Sequence, residues 1–217
     1  SVLDLLDTLN IKGALISVDA MNSQKKIVEK ICSKNADYVL CIKNNHKQLR
    51  DEIAAYFHKV ERDNPAWIAC NEQTDSGHGR IEVRRCQQLR VSEWISEAQH
   101  WKGIRSVIKI ERERHLKDKE VSTETQYYIS SLDIDPAAVN QAIRAHWEVE
   151  NKVHWVLDVT FKEDDSRIRK EDGAENVGVI RRFCLNMARL HPKKASMRSK
   201  LKMAGWADEF RAELIFG

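Results

Sequence analysis

The chain has 217 residues, 42% of them hydrophobic and 32% charged, with a net charge of +3. That composition belongs to a soluble globular protein with one good core, or one core interrupted by a smaller inserted lobe. No apolar run approaches the roughly 20 residues a membrane helix needs, and the acidic, helix-patterned opening SVLDLLDTLN is not a signal peptide. With no Met at position 1, a fragment or a processed product is expected. Val2, Leu5, Leu6 and Leu9 recur at helical spacing until Lys12-Gly13 breaks the pattern. GALISVDA (13–20) is a short β-rich run ending on an aspartate. SQKKIVEKICSKNA (23–36) is an amphipathic helix that Ser23 is placed to cap, with Ile27, Val28, Ile31 and Cys32 on its inner face. DYVLCIK (37–43) is a buried-type strand followed by the turn-like Asn44-Asn45. This α-β-α-β order predicts parallel strands joined by crossover helices. In such sheets, sites lie beyond the carboxyl ends of strands, and Asp19, Lys43 and Asn44 stand at such ends.

A helix is expected from 46 to 60, and then the texture changes. GRIEVRRCQQLRV (79–91) alternates like a strand, and 104–132 reads as a hairpin around the polar tip HLKDKE. The middle segment is thus an antiparallel β insertion, with Trp67, Trp94 and Trp101 expected to pack its core. Helices return at roughly 135–157, 174–190 and 196–214, the first opening on Asp135-Pro136 with Pro at the first helical position. The expected partition is 1–45 for the first part of the core, 46–134 for a helix plus the β-rich insertion, and 135–217 for the closing helices.

Five cysteines occur, an odd number without a Cys-x-x-Cys pair. That fits a reduced cytosolic compartment with cysteines as small core residues. The net charge is small, but SRIRK (166–170), Arg181-Arg182, HPKKASMRSKLK (191–202) and VRR (83–85) gather positive charge into local stripes. Such stripes suit either a phosphate partner or a solvated face. Gly77 and Gly79 in DSGHGRIEVRR allow close backbone approach, and His78 and Arg80 could reach a phosphate; a turn entering a strand is the plain reading.

The stretch AIRAHWEVENKVHWVLDVTF (142–161) carries the sharpest chemistry. At about 100° per residue, Ile143, His146, Trp147, Glu150, Val153, His154 and Leu157 share one face. Glu150 is then the inward carboxylate, and a buried carboxylate must be neutralised, paired or metal-bound. One reading is a structural network of Glu150 with His146 and His154. A zinc site on those three residues fails, because they span two turns, about 12 Å of rise. The remaining reading joins Glu150 to a carboxylate from another element, and Asp19 is the candidate, although it could instead cap the next helix. Two such carboxylates suit Mg²⁺ or Mn²⁺ chemistry on phosphates.

The order strand–Asp, helix, strand, β insertion, helix–Glu resembles the RNase H-like core of DDE transposases. KGALISVDAMNSQKKIVEKI, ADYVLCIKNN, GHGRIEVRRC, TETQYYISSL, AHWEVENKVHWVLDVTFKEDDSRIRK and ENVGVIRRFCLNM are similar to the H-repeat-associated transposases of bacterial insertion sequences. The likeness runs from Leu3 to about Trp206. It implies an α/β fold with an incomplete RNase H-like core, its opening strands missing, plus the β insertion and C-terminal helices. It implies that Asp19 is the second catalytic carboxylate and Glu150 the third, both binding Mg²⁺ or Mn²⁺. The family's first catalytic Asp, followed by Gly-Lys, lies upstream on the first strand, so a C-terminal fragment with weak metal affinity and no cleavage of its own is expected. Related transposases carry a Tyr–Arg–Glu–Lys signature; here Ile143, His146 and Leu157 stand at the Tyr, Arg and Lys positions. Lys43, Asn44, His78, Arg80, Arg144, His146, Arg167, Arg169 and Lys170 are the candidate DNA contacts, with Lys152 a further nearby cation. The implied partner is double-stranded DNA at transposon ends, with self-association along an uncovered sheet edge. The implied location is the bacterial cytoplasm, at the nucleoid. The alternative is a catalytically inactive remnant that binds DNA or a partner protein.

Overall fold

The computed structural model describes residues 2–77, 80–116 and 120–216; the side chains of Arg80, Leu116, Glu150 and Asn151 lie outside that description. Helix α1 (Val2–Thr8) stops before Gly13, whose φ of 73° is a conformation glycine adopts without steric cost. Strand β1 (Leu15–Val18), helix α2 (Lys25–Ser33) and strand β2 (Asp37–Ile42) follow in the expected order. β1 and β2 pair in parallel, Leu15 opposite Asp37 and Val18 opposite Leu40. The near-continuous apolar run of β2 is buried at Tyr38, Val39, Leu40 and Ile42, as a central strand covered on both faces requires.

Helix α3 (Lys47–Asp63) leads into four antiparallel strands, β3 (Ala69–Gly77), β4 (Arg80–Arg90), β5 (Ser106–Leu116) and β6 (Ser122–Ser130). They continue the sheet begun by β1 and β2, because β6 pairs antiparallel with β2. The full order is β1-β2-β6-β5-β4-β3, so the fold is mixed α/β. The core lies between this sheet and α1, α2 and α3, with Ile31, Tyr38, Leu40, Leu49, Ile53 and Phe57 at its centre.

Several local expectations are corrected. Ser23 does not cap α2: Gln24 occupies that position, and the Ser23 hydroxyl, fully buried, donates to the Asp19 carbonyl at 3.1 Å. Strand β3 escapes an alternation test because it is the outer strand, bonded to β4 alone, and needs no apolar face. Of the three tryptophans only Trp101 enters the core; Trp67 and Trp94 are exposed, and Lys59 lies over the Trp94 ring at 4.2 Å. The helix expected at 135–157 is α4 (Pro136–Val149), a π-helical turn (Glu150–His154) and α5 (Trp155–Phe161). This turn breaks the constant 100° step, and His154 is exposed while Leu157 is buried. After α6 (Gly173–Leu190), the terminal helix is two, α7 (Met197–Trp206) and α8 (Asp208–Phe216).

The chain divides into two compact units, residues 1–146 and 147–217. In the first, β3 and β1 are opposite edges of the sheet, five strand spacings or about 24 Å apart if flat. Yet α4 bonds both: Asn140 and Arg144 reach Asn71 and Asp75 on β3, and His146 reaches Ser17 on β1. The sheet must coil strongly for one helix to touch both edges.

Candidate functional site

The residue after β1 is Asp19. Its Oδ1 accepts from the backbone N–H of Asn22 at 3.1 Å and from Asn22 Nδ2 at 2.7 Å, capping a short 3₁₀ turn over Ala20–Asn22. The capping role is therefore real, but it consumes one oxygen. Asp19 is exposed, and its Oδ2 has no hydrogen-bond partner among the described residues. A carboxylate with one oxygen held and the other open is a preorganised hard-oxygen donor.

The loop after β2 is stitched to this turn. Asn45 Nδ2 donates to the Ala20 carbonyl and His46 Nε2 donates to the Ser23 carbonyl, each at 2.6 Å. The His46 ring is edge-on to buried Trp101, centroids 5.0 Å apart. Lys43 and Asn44 are thereby carried in the loop bonded to that of Asp19, both exposed, with Asn44 Oδ1 accepting from Arg50.

Helix α4 begins as its sequence dictates. Asp135 Oδ1 accepts from the Ala138 N–H at 3.0 Å, and Pro136 is the first helical residue. The buried Asn140 donates through Nδ2 to Asn71 Oδ1 at 2.9 Å. Arg144 forms an ion pair with Asp75, so its charge is partly spent on β3. One turn on, His146 Nδ1 lies 3.1 Å from Ser17 Oγ. Glu150 opens the π-helical turn; π-turns inside helices occur frequently at functional sites.

The remaining candidate cations separate into bound and open groups. Arg167, Arg169 and Lys170 are exposed between α5 and α6, and Arg169 donates to the carbonyls of Ser166 and Ile168 at 2.8 and 2.9 Å. Lys152 pairs with Glu148 at 2.6 Å. The VRR stripe on β4 is committed to the sheet: Arg84 bonds Glu82 at 2.9 Å and Arg85 bonds Glu72 at 2.8 Å. Lys200, in the basic C-terminal stripe, is buried and donates to the carbonyls of Ala188 and His191, both at 2.8 Å. His78 lies outside the described residues, as do the side chains of Arg80 and Glu150. Among the described residues no three His, Cys, Asp or Glu side chains gather into a metal-sized cluster.

Sequence reasoning passed over Ser17, the single hydroxyl in the run LISV; a polar residue inside a buried-type strand was the available signal. It also treated Arg144 as open, and Asp75 on the unrecognised strand β3 could not be found as its partner.

Asp19 thus stands beyond the carboxyl end of a parallel strand, where open α/β sheets bind ligands, in a turn bonded to the neighbouring strand-end loop. The family model described as the transposase DDE domain matches residues 1–187, and the chain belongs to that family. Within it the chain is similar to YhhI of Escherichia coli K12, whose name carries the words H repeat-associated and transposase: 35% identity over 221 residues, covering 99% of this chain and 58% of YhhI. It is equally similar to YbfL of the same strain, 35% over 219 residues with the same coverage. YncI of Escherichia coli O157:H7, also bearing the word transposase in its name, is 37% identical over 195 residues, 86% of this chain and 48% of its own. The chain thus spans about half to three fifths of the curated relatives it matches. No described helix is long and apolar enough to cross a membrane.

Proposed function

We propose that the chain is the C-terminal part of a DDE transposase that cuts and joins DNA strands with Mg²⁺ or Mn²⁺, and that Asp19 and Glu150 supply two carboxylates of its metal-binding set. The open Oδ2 of Asp19 at the carboxyl end of a parallel strand, in a chain of this family, carries the proposal. Carboxylate oxygens are the ligands hard divalent cations select, and a cation held there clamps the oxygens of an in-line phosphoryl displacement. The incomplete RNase H-like core and the partition at 45 and 134 belong to the same proposal, as does the DNA-facing role of Lys43, Asn44, Arg167, Arg169 and Lys170. The outer edge of β1, unpaired among the described residues, supports self-association by strand addition. With two of three carboxylates, residues 1–217 alone should bind metal weakly and leave DNA uncut.

Mn²⁺ titration of the ¹⁵N-labelled chain tests this reading. Amide signals around Asp19 and around Glu150 should broaden together, and Asp19→Asn should remove the effect at both. Broadening at neither segment, or at each independently of Asp19, overturns the shared site. Robust metal-dependent cleavage by the chain alone would refute its dependence on a third carboxylate. DNA binding with no Mn²⁺ effect is the outcome of an inactive remnant.

A further inference from the structure

His146 and Ser17 form a pair that the carboxylate chemistry leaves unused. Residues 17 and 146 are 129 positions apart, and their 3.1 Å hydrogen bond joins the edge strand β1 to α4. Its two atoms constrain each other. A neutral imidazole has one N–H and one bare nitrogen. When the Ser17 hydroxyl donates to Nδ1, the ring proton must sit on Nε2. When the ring is protonated, Nδ1–H donates to Oγ instead, and Nε2 still carries its proton. In both of these arrangements Nε2 is a donor; in the third, a neutral ring whose Nδ1–H donates to Oγ, Nε2 is bare and can only accept. That nitrogen has no partner among the described residues and is not among the buried unpaired atoms, so it meets solvent.

The other anchors of α4 keep the ring in place. Asn140 bonds Asn71 and Arg144 pairs with Asp75, both on the opposite sheet edge. They hold the helix to that edge while His146 ties it to β1, and the Asp75 carboxylate lowers the claim of Arg144 on an external anion. A donor of fixed direction at the solvent face of a helix that leads directly into Glu150 suits one ligand class, the anionic oxygen of a phosphodiester.

We propose that Ser17 is a positioning residue that holds His146 as an Nε2–H donor to a DNA backbone phosphate. The inference rests on the DNA-processing reading above. Ser17 itself touches no DNA; it acts by donating to Nδ1 and so fixing the direction of the ring, as an outer hydrogen bond orients the ring of a ligating histidine.

The test uses the full chain and a fluorescein-labelled duplex of mixed sequence at two salt concentrations. Wild type, Ser17→Ala, Ser17→Thr, His146→Ala and the Ser17→Ala/His146→Ala double variant are compared. Ser17→Ala should weaken binding about three- to tenfold, in the range of one hydrogen bond to a charged group, and Ser17→Thr should restore it. The double variant should bind no more weakly than His146→Ala, because Ser17 acts through the ring. Imidazole ¹⁵N shifts of the neutral ring should show the proton on Nε2 with Nδ1 accepting from Ser17, and a neutral ring protonated at Nδ1 overturns the proposal. Unchanged affinity in Ser17→Ala, or additive losses in the double variant, overturns the proposal whatever the nitrogen shifts show. If wild type has no salt-dependent affinity for the duplex, the DNA-processing reading fails first and takes the phosphate contact with it. An intact wild-type affinity that ignores Ser17 fails the inference alone.

Discussion

Residues 1–146 and 147–217 are stabilised by different means. The main hydrophobic cluster comes wholly from the first unit, where Ile31, Ile53 and Phe57 are at most 1% exposed. In the second unit Leu157, Leu185 and Ala188 are buried, while Val179, Ile180, Phe183 and Leu190 of α6 are exposed. Polar and ring contacts join its helices: Lys200 donates to the carbonyls of Ala188 in α6 and of His191 just past it, and the His191 ring packs edge-on against Phe210 of α8, centroids 4.9 Å apart. Apolar burial contributes about 25 cal/mol per Å², so the first unit should behave as a cooperative block. The second, with fewer buried side chains, should open at lower cost.

The largest expected effect comes from truncating one aromatic in each unit. Phe57→Ala should cost about 3–5 kcal/mol by leaving a cavity in a closed core, read from urea unfolding. Phe183→Ala, at a side chain 60% exposed, should stay within about 0.5 kcal/mol. Equal losses would erase the contrast between the units. Next in size is Lys200→Met, which strips two carbonyls of a buried donor. A loss of about 1–3 kcal/mol is expected, confined to the second unit, so amide exchange should quicken across α6 and α7 and not in β2. Smallest is a pH effect in the first unit. The Arg112 guanidinium holds the Glu124 carboxyl below its usual range, with the Gln126 amide assisting. A depressed carboxylate contributes stability that is full above its unfolded pKa and is lost as pH falls through its folded pKa. Glu124→Gln should therefore flatten the acid limb of the stability curve. Because Glu124 is half exposed, screening limits the change to roughly 0.5 kcal/mol.

The parts legible in the sequence share one property: their cause is local. β2 reads as a strand because a buried strand is a run of apolar residues, and α4 starts at Pro136 because Asp135 caps it within three residues. β3 was hidden because an outer strand is specified by its partner β4 rather than by its own alternation. Trp94 seemed a core residue by type, but the fold leaves it exposed with Lys59 over its ring. The candidate site divides the same way. Asp19 was visible as an acid at a strand end, but which of its oxygens is engaged depends on the turn that Asn22 closes. Arg144 and His146 are two residues apart with similar basic chemistry; Asp75 pairs with the first, and Ser17 hydrogen-bonds the ring of the second.

By itself the sequence determined the order of the first strands and helices, the acid that follows β1, and the family to which the chain belongs. Those follow from local apolar patterning and from long stretches of matching residues. The tertiary structure alone decided that six strands form one sheet, which cations are spent on internal carboxylates, and that a serine and a histidine 129 positions apart are hydrogen-bonded. The physical reason is that hydrogen bonds and ion pairs act over about 3 Å, and only chain folding sets which groups come that close.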